Sequence, residues 1–219
     1  AASYLDHLTQ IVIARMNDEL PSACVGKRAR AAMQYHFANA ASSLQFQDYY
    51  LQITNNRGHF LRQPDFFRTF KKRYSLQGIH LGYLDLLEEK KTELIRRVKN
   101  DELVSLYWEH FGDAEILHKE QAVRKNLGSF FAKFVHTFNP EQYCALDNPI
   151  RKLLGLKNES FFQSFLVISA AYRIWISQNP VSMAQVRSAV PASAQNKADR
   201  MTDLKLLDLV FWYRANVEK

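Results

Sequence analysis

Asp147 stands directly before Asn148-Pro149-Ile150-Arg151, an order that reads as a helix start with the carboxylate at the N-terminal cap. The helix dipole there favours an ionised carboxylate. The same position also serves a helix with no chemistry, because an aspartate cap satisfies orphan backbone N–H groups. A second stretch, Arg57 to Arg73, sets Arg57, Arg62, Arg68, Lys71, Lys72 and Arg73 against the single acid Asp65. His59, Phe60, Phe66, Phe67 and Phe70 are interleaved with these cations, and Tyr74 follows them. Cations meet phosphates and rings stack on bases, but rings at helical spacing also fill a core. Arg57, Arg62, Lys71, Lys72 and Arg73 are therefore the phosphate-contact candidates of this stretch. Lys90, Lys91, Arg96, Arg97 and Lys99 form a further basic run, offset by Glu88, Glu89 and Glu93, that reads as a solvated helix face.

Other chemistries lack their residues. The sequence has no Gly-rich phosphate loop, no HExxH and no GxSxG elbow. Cys24 and Cys144 are too far apart in sequence for a zinc knuckle and too few for a disulfide framework, so they read as free thiols in a reducing, intracellular compartment, cytoplasmic or nuclear. Residues 1–20 mix Asp6, His7, Arg15, Asp18 and Glu19 among apolar positions, unlike a signal peptide. Neither a metal nor a cofactor is expected.

The elements that must position these groups are helices. Leu5, Leu8, Val12 and Met16 mark a helix over 3–19, ended by Pro21. A second helix is expected from Gly26 through Phe37 toward Leu44, with an aromatic stretch Phe46–Ile53 after it and a loop at Asn55, Asn56 and Gly58. Pro64-Asp65 opens a short helix through Tyr74, and Gly78 and Gly82 punctuate the next connection. Leu84, Leu87, Leu94, Ile95 and Val98 then predict one long amphipathic helix, with Glu93 and Arg97 an i,i+4 pair. Asp101 is expected to cap a helix closed by Gly112, and 116–123 to form another short helix. Phe130 to Phe138 is helical in spacing and stops at Asn139-Pro140. Ser160-x-x-Gln163 begins a helix over 160–176 that is apolar on nearly every face, hence central and buried. Gln163, Ser164, Ser169 and Arg173 interrupt it, and it is too short to span a bilayer. Residues 177–200 read as one short helix inside a long connection, and 201–217 as the last helix. Gly and Pro number only 7 and 6, few turns for a β protein. The fold class is all-α: one multi-helix domain over 1–219, divisible into lobes at 1–112 and 113–219.

The segment Asn126-Leu-Gly-Ser-Phe-Phe-Ala-Lys-Phe-Val-His-Thr-Phe-Asn-Pro-Glu-Gln-Tyr-Cys-Ala-Leu-Asp-Asn-Pro-Ile-Arg-Lys-Leu-Leu-Gly155 resembles the second half of the helix-hairpin-helix DNA glycosylase signature. Gly128 matches the last hairpin glycine, Ala132 the small helix residue, Asp147 the catalytic aspartate, Ile150 the aliphatic position and Arg151 the basic one. The resemblance implies a helix-hairpin-helix-like junction over 123–156, with Lys125, Gly128 and Arg151 at a DNA phosphate. It further implies a flipped-out base whose sugar is attacked beside Asp147. The chain departs from the family in Lys125-Asn126-Leu127-Gly128, which has one glycine where the hairpin has two. It also has Phe130 where bifunctional members carry the Schiff-base lysine. The resemblance therefore implies at most a single-function N-glycosylase, a hydrolase without lyase activity. Separately, Arg30 and His36 on a predicted helix loosely resemble the Arg–His motif of HEPN ribonucleases, in which the histidine acts on the 2′-OH and the arginine on the phosphate. Ala31 stands where that family favours a polar residue.

The formal net charge is +7 and the pI near 9.4, a balance that attracts nucleic acid. Duplex DNA is the expected partner, a membrane is not, and a non-enzymatic helical module binding nucleic acid or a protein is the competing expectation.

Overall fold

A computed structural model describes residues 3–39, 41–76, 78–112, 114–118 and 121–218, and their side chains except at 39, 41–44, 115–118 and 122. Helix α1 (Tyr4–Glu19) opens with a capping box, in which Ser3 Oγ accepts from the Asp6 N–H and Asp6 returns the bond to the Ser3 N–H. Its buried stripe of Leu8, Val12 and Met16 packs along α11 (Phe161–Gln178). Helix α2 (Val25–Gln34) runs straight into a π-helical turn, Tyr35–Asn39, before α3 (Ala41–Asn55), so the single helix expected over this region changes its winding midway. The expected loop at Asn56 is instead a helix start: Asn56 accepts from the His59 N–H and caps α4 (Arg57–Arg62), with Gly58 inside it.

Helix α5 (Phe66–Arg73) begins where Pro64-Asp65 foretold. Its first N–H groups, Phe66 and Phe67, donate to the Glu88 carboxylate at 3.1 and 3.0 Å. The long helix expected next is two, α6 (Leu81–Glu89) and α7 (Lys91–Lys99), broken at Lys90. The break lets Leu84 and Leu87 on one helix, and Leu94, Ile95 and Val98 on the other, all reach the core. The Glu93–Arg97 pair forms at 3.3 Å. Asp101 does not cap α8 (Leu103–His110). It takes a left-handed φ of 58°, accepts from the Tyr143 hydroxyl, and leaves the cap position to Glu102.

The helix expected over 116–123 is instead an antiparallel hairpin, β1 (Ala114–His118) with β2 (Gln121–Lys125), in which Ile116 faces Val123. It is the only sheet among the described residues of an otherwise helical chain. Helix α9 (Gly128–Phe138) follows and is buried along nearly its whole length. Then come α10 (Asn148–Leu153) and α11, whose cap Ser160 accepts from the Gln163 N–H as its sequence implied. The 177–200 connection is more ordered than expected, with α12 (Pro180–Ser188), a 3-10 turn at Ala192–Ala194 and α13 (Gln195–Ala198). Arg187 binds this segment together through the carbonyls of Ala198 and Met201. Helix α14 (Asp203–Asn216) ends the fold.

One aromatic core crosses the 112/113 division. Phe67 stacks on Phe130 with centroids 6.1 Å apart, Tyr107 on Phe162 at 4.7 Å, and Phe111 packs on Phe134. Among the described residues no helix is long and apolar enough to cross a membrane.

Candidate functional site

Asp147 caps α10 as its sequence context implied. Its Oδ1 accepts from the Ile150 N–H at 3.0 Å, and its Oδ2 accepts from the Asn216 side-chain amide at 3.3 Å. Asn216 also donates to the Trp212 carbonyl, so the last turn of α14 holds the carboxylate in place while leaving it half-exposed. Gly128 and Arg151 meet at one ring. A Cβ on Gly128 would collide with the Phe161 ring, and the Arg151 guanidinium sits over the same ring at 5.7 Å. Arg151 also donates to the Glu159 carbonyl, closing the loop before α11.

The expected helix-hairpin-helix junction takes another form. Strand β2, not a helix, precedes Gly128, and the Gly128 N–H donates to the Asn126 side chain at 2.8 Å rather than standing free for a phosphate. Asn126 is fixed in turn by the Tyr107 hydroxyl. Lys125 is exposed at the end of β2, its ammonium over the Gly78 turn.

Behind Asp147 lies a group of buried ionisable side chains that sequence reading does not single out. Lys205 and Asp208, one turn apart on α14, are 2% and 3% exposed. The Lys205 ammonium rests over the Tyr50 ring at 4.2 Å and near Phe46 at 5.6 Å. Burial pushes Lys205 down to about 8 and Asp208 up to about 6, and in each case the other's charge opposes the shift. Lys133 on α9 is also lowered by burial, against the attraction of Asp147 and Asp208, and its ammonium donates to Ser129 Oγ. His136 stacks on Tyr50 at 5.5 Å and donates from Nδ1 to the Tyr143 carbonyl. Burial first, then the Lys205 charge, lowers it to about 3, so it is neutral. His136 Nε2 and Asp208 Oδ1 are buried without a hydrogen-bond partner among the described residues. Buried polar atoms are seldom left so. The sequence signal for this cluster is a Lys and an Asp set three apart within Leu204-Lys-Leu-Leu-Asp-Leu-Val-Phe211, charges inside a helix otherwise apolar all round.

The end of α14 that carries Asn216 is aromatic. Trp212, one turn before Asn216, lies near-parallel to Tyr35 of the π-helical turn, with centroids 6.0 Å apart, and Tyr213 packs on Tyr35 at 5.5 Å. All three are half-buried. His36 is sealed beneath them: it hydrogen-bonds the Leu209 carbonyl at 2.9 Å and is lowered to about 4, mainly by burial. Arg30 is exposed on α2. The two residues of the ribonuclease-like pair are thus divided between surface and core.

On the α4–α5 surface Arg62, Lys72 and Arg73 are exposed, and Arg57 and Lys71 half-buried. Arg73 lies over Tyr49 at 5.5 Å, while Arg68 is committed to Asp85. Phe60, Phe66, Phe67, Phe70 and Tyr74 are buried, so these rings belong to the core and do not stack on bases. Among the described residues no group of His, Cys, Asp and Glu could hold a metal ion, and both cysteines are free.

This geometry offers a half-exposed carboxylate oriented by two donors, one of them from a helix that also carries buried charges. No family model, curated protein or solved structure matches the chain.

Proposed function

We propose that this chain binds duplex DNA and excises a base as a single-function N-glycosylase, with Asp147 as the working carboxylate. The observation that carries the reading is the dual restraint on Asp147. The Ile150 N–H and the Asn216 amide fix its two oxygens while solvent still reaches it. A carboxylate held this way is pre-oriented toward a cationic centre or a water, and needs no reorganisation when charge develops on a sugar. The half-buried rings of Tyr35, Trp212 and Tyr213, on and against the helix whose Asn216 holds Asp147, offer a stacking surface. Exposed cations at Arg62, Lys72 and Arg73 supply phosphate contacts.

One observation favours a second reading, a binding module without catalysis. The Gly128 N–H is already taken by Asn126, so the phosphate grip implied by the glycosylase resemblance has to come from side chains alone.

Asp147→Asn separates the two. Asparagine caps a helix about as well as aspartate, so the fold is retained, while the negative charge is lost. On duplexes carrying damaged or mismatched bases, the wild-type chain should generate abasic sites and the variant should generate about a hundredfold fewer or none, with DNA affinity unchanged. Equal excision by the variant refutes the role of Asp147, and DNA binding without excision by either protein leaves the binding module.

A further inference from the structure

Val104 and Trp108 stand one turn apart on α8 and are 60% and 59% exposed, although large apolar side chains this open are unusual in a pair. They form the apolar wall of a shallow groove of about 500 Å³, floored by buried Leu103. The indole is not loose. It packs edge-on against Tyr107 at 5.1 Å, and a Cβ on Gly112 would lie 3.0 Å from its Cε3. A ring held on one side and open on the other gives up little freedom when a partner covers it.

The charge around the groove is one-signed in a chain of the opposite sign. Asp101, Glu102 and Glu109 line it and no base does, although the whole chain carries +7. Each carboxylate is steadied from behind: Asp101 by the Tyr143 hydroxyl, Glu102 by Arg96 at 3.5 Å and Glu109 by Arg97 at 2.7 Å. Those arginines sit on α7, outside the lining, and orient two of the three acids, while Asp101 is held by a neutral hydroxyl. DNA is repelled by such a rim, which separates this surface from the α4–α5 cations.

We infer that this groove docks a cationic segment of a partner protein, which inserts an apolar side chain against Trp108 and sets Arg or Lys beside Glu102 and Glu109. Tryptophan at the centre of a contact is the residue type that most often dominates its energy, and the acids select for charge and steer the encounter.

The test uses the full chain and a fluorescein-labelled amphipathic peptide of Leu and Arg at helical spacing, with Glu-for-Arg and Ser-for-Leu versions as comparisons, read by anisotropy. The Leu/Arg peptide should bind, and the other two should bind at least about tenfold more weakly. Trp108→Ser should weaken the Leu/Arg peptide by about tenfold or more with the circular-dichroism spectrum unchanged. Glu102→Gln with Glu109→Gln should weaken it less and reduce its salt dependence. Absence of binding, equal binding of the Glu-for-Arg peptide, or indifference to Trp108→Ser overturns the inference. Sedimentation showing that Trp108→Ser dissociates a self-association of the chain would overturn it too, in favour of a second copy as occupant.

Discussion

At the residue scale the decisive question is how the interior tolerates its ionisable groups. His36 and His136 are both neutral in the fold, lowered from 6.5 to about 4 and about 3, largely by burial. A folded-state value below the unfolded one means that the unfolded chain takes up protons first. The stability these imidazoles contribute is therefore present above pH 6.5 and is lost as pH falls toward 4. Each should remove about 2 kcal/mol between pH 7 and pH 5. Asp208 acts the other way. Raised from 3.8 to about 6, it contributes stability that is complete below pH 3.8 and lost as pH rises through 6. Over the same interval it returns roughly 1 kcal/mol. The two histidines outweigh it, so urea unfolding should show stability dropping by a few kcal/mol from pH 7 to pH 5. His136→Asn can keep the donor to the Tyr143 carbonyl without the titration, and should flatten that slope by about two-thirds or more. An unchanged slope in the variant would place the acid sensitivity elsewhere. None of this was legible residue by residue in the sequence. A histidine or lysine announces its chemistry there but not its depth, and only the apolar context around Lys205 and Asp208 hinted at burial.

At the element scale, what could be read were local signals with a single physical meaning. Ser160 and Asp147 each bond the N–H three residues on, and a short polar side chain before a helix does this whatever the tertiary structure. Helix α11, apolar on every side, had nowhere to go but the centre. What could not be read depended on distant partners. The α6–α7 break places two apolar stripes on one core, and Glu88 serves α5 across the α5–α6 packing. The β1–β2 strands lack a clean alternation, and their pairing decides the state more than either sequence does. The π-helical turn at Tyr35 likewise has no local residue signature. Gly128 shows how an element-level constraint imitates a functional one. As the hairpin glycine of a DNA-binding motif it would be conformationally special, but it lacks a positive φ and lies against Phe161 with no room for a methyl group. Gly128→Ala should destabilise the fold by about 1–3 kcal/mol through this clash, because α9 and Phe161 are both fixed by dense packing. Urea midpoints measure it. If the variant were as stable as wild type and defective only in DNA binding, the glycine would belong to the interface after all.

At the scale of the whole molecule, the excess of 7 positive charges and its distribution bear on the proposed binding of DNA. The interior Lys205 is out of reach, Arg68 is tied to Asp85, and Arg96 and Arg97 serve carboxylates around α8. Of the candidates on α4 and α5, Arg62, Lys72 and Arg73 are exposed, and the last two end a helix whose buried face is entirely aromatic. Because Phe66, Phe67 and Phe70 hold that helix from beneath, changing Lys72 and Arg73 removes no core contact beyond that of Arg73 with the Tyr49 ring, and unchanged urea unfolding of the variant checks this. Any loss of affinity is then an interface effect. Each phosphate contact releases counterions and adds about 0.9 to the slope of log affinity against log salt. The chain should therefore bind duplex DNA with a steep negative slope, and Lys72→Gln with Arg73→Gln should reduce that slope by about 2, with weakening largest at low salt. Loss of affinity with the slope unchanged would mean that the pair supports the surface without touching phosphate. An unaffected affinity would move the DNA path off α5 toward the other candidate cations, Lys125 and Arg151.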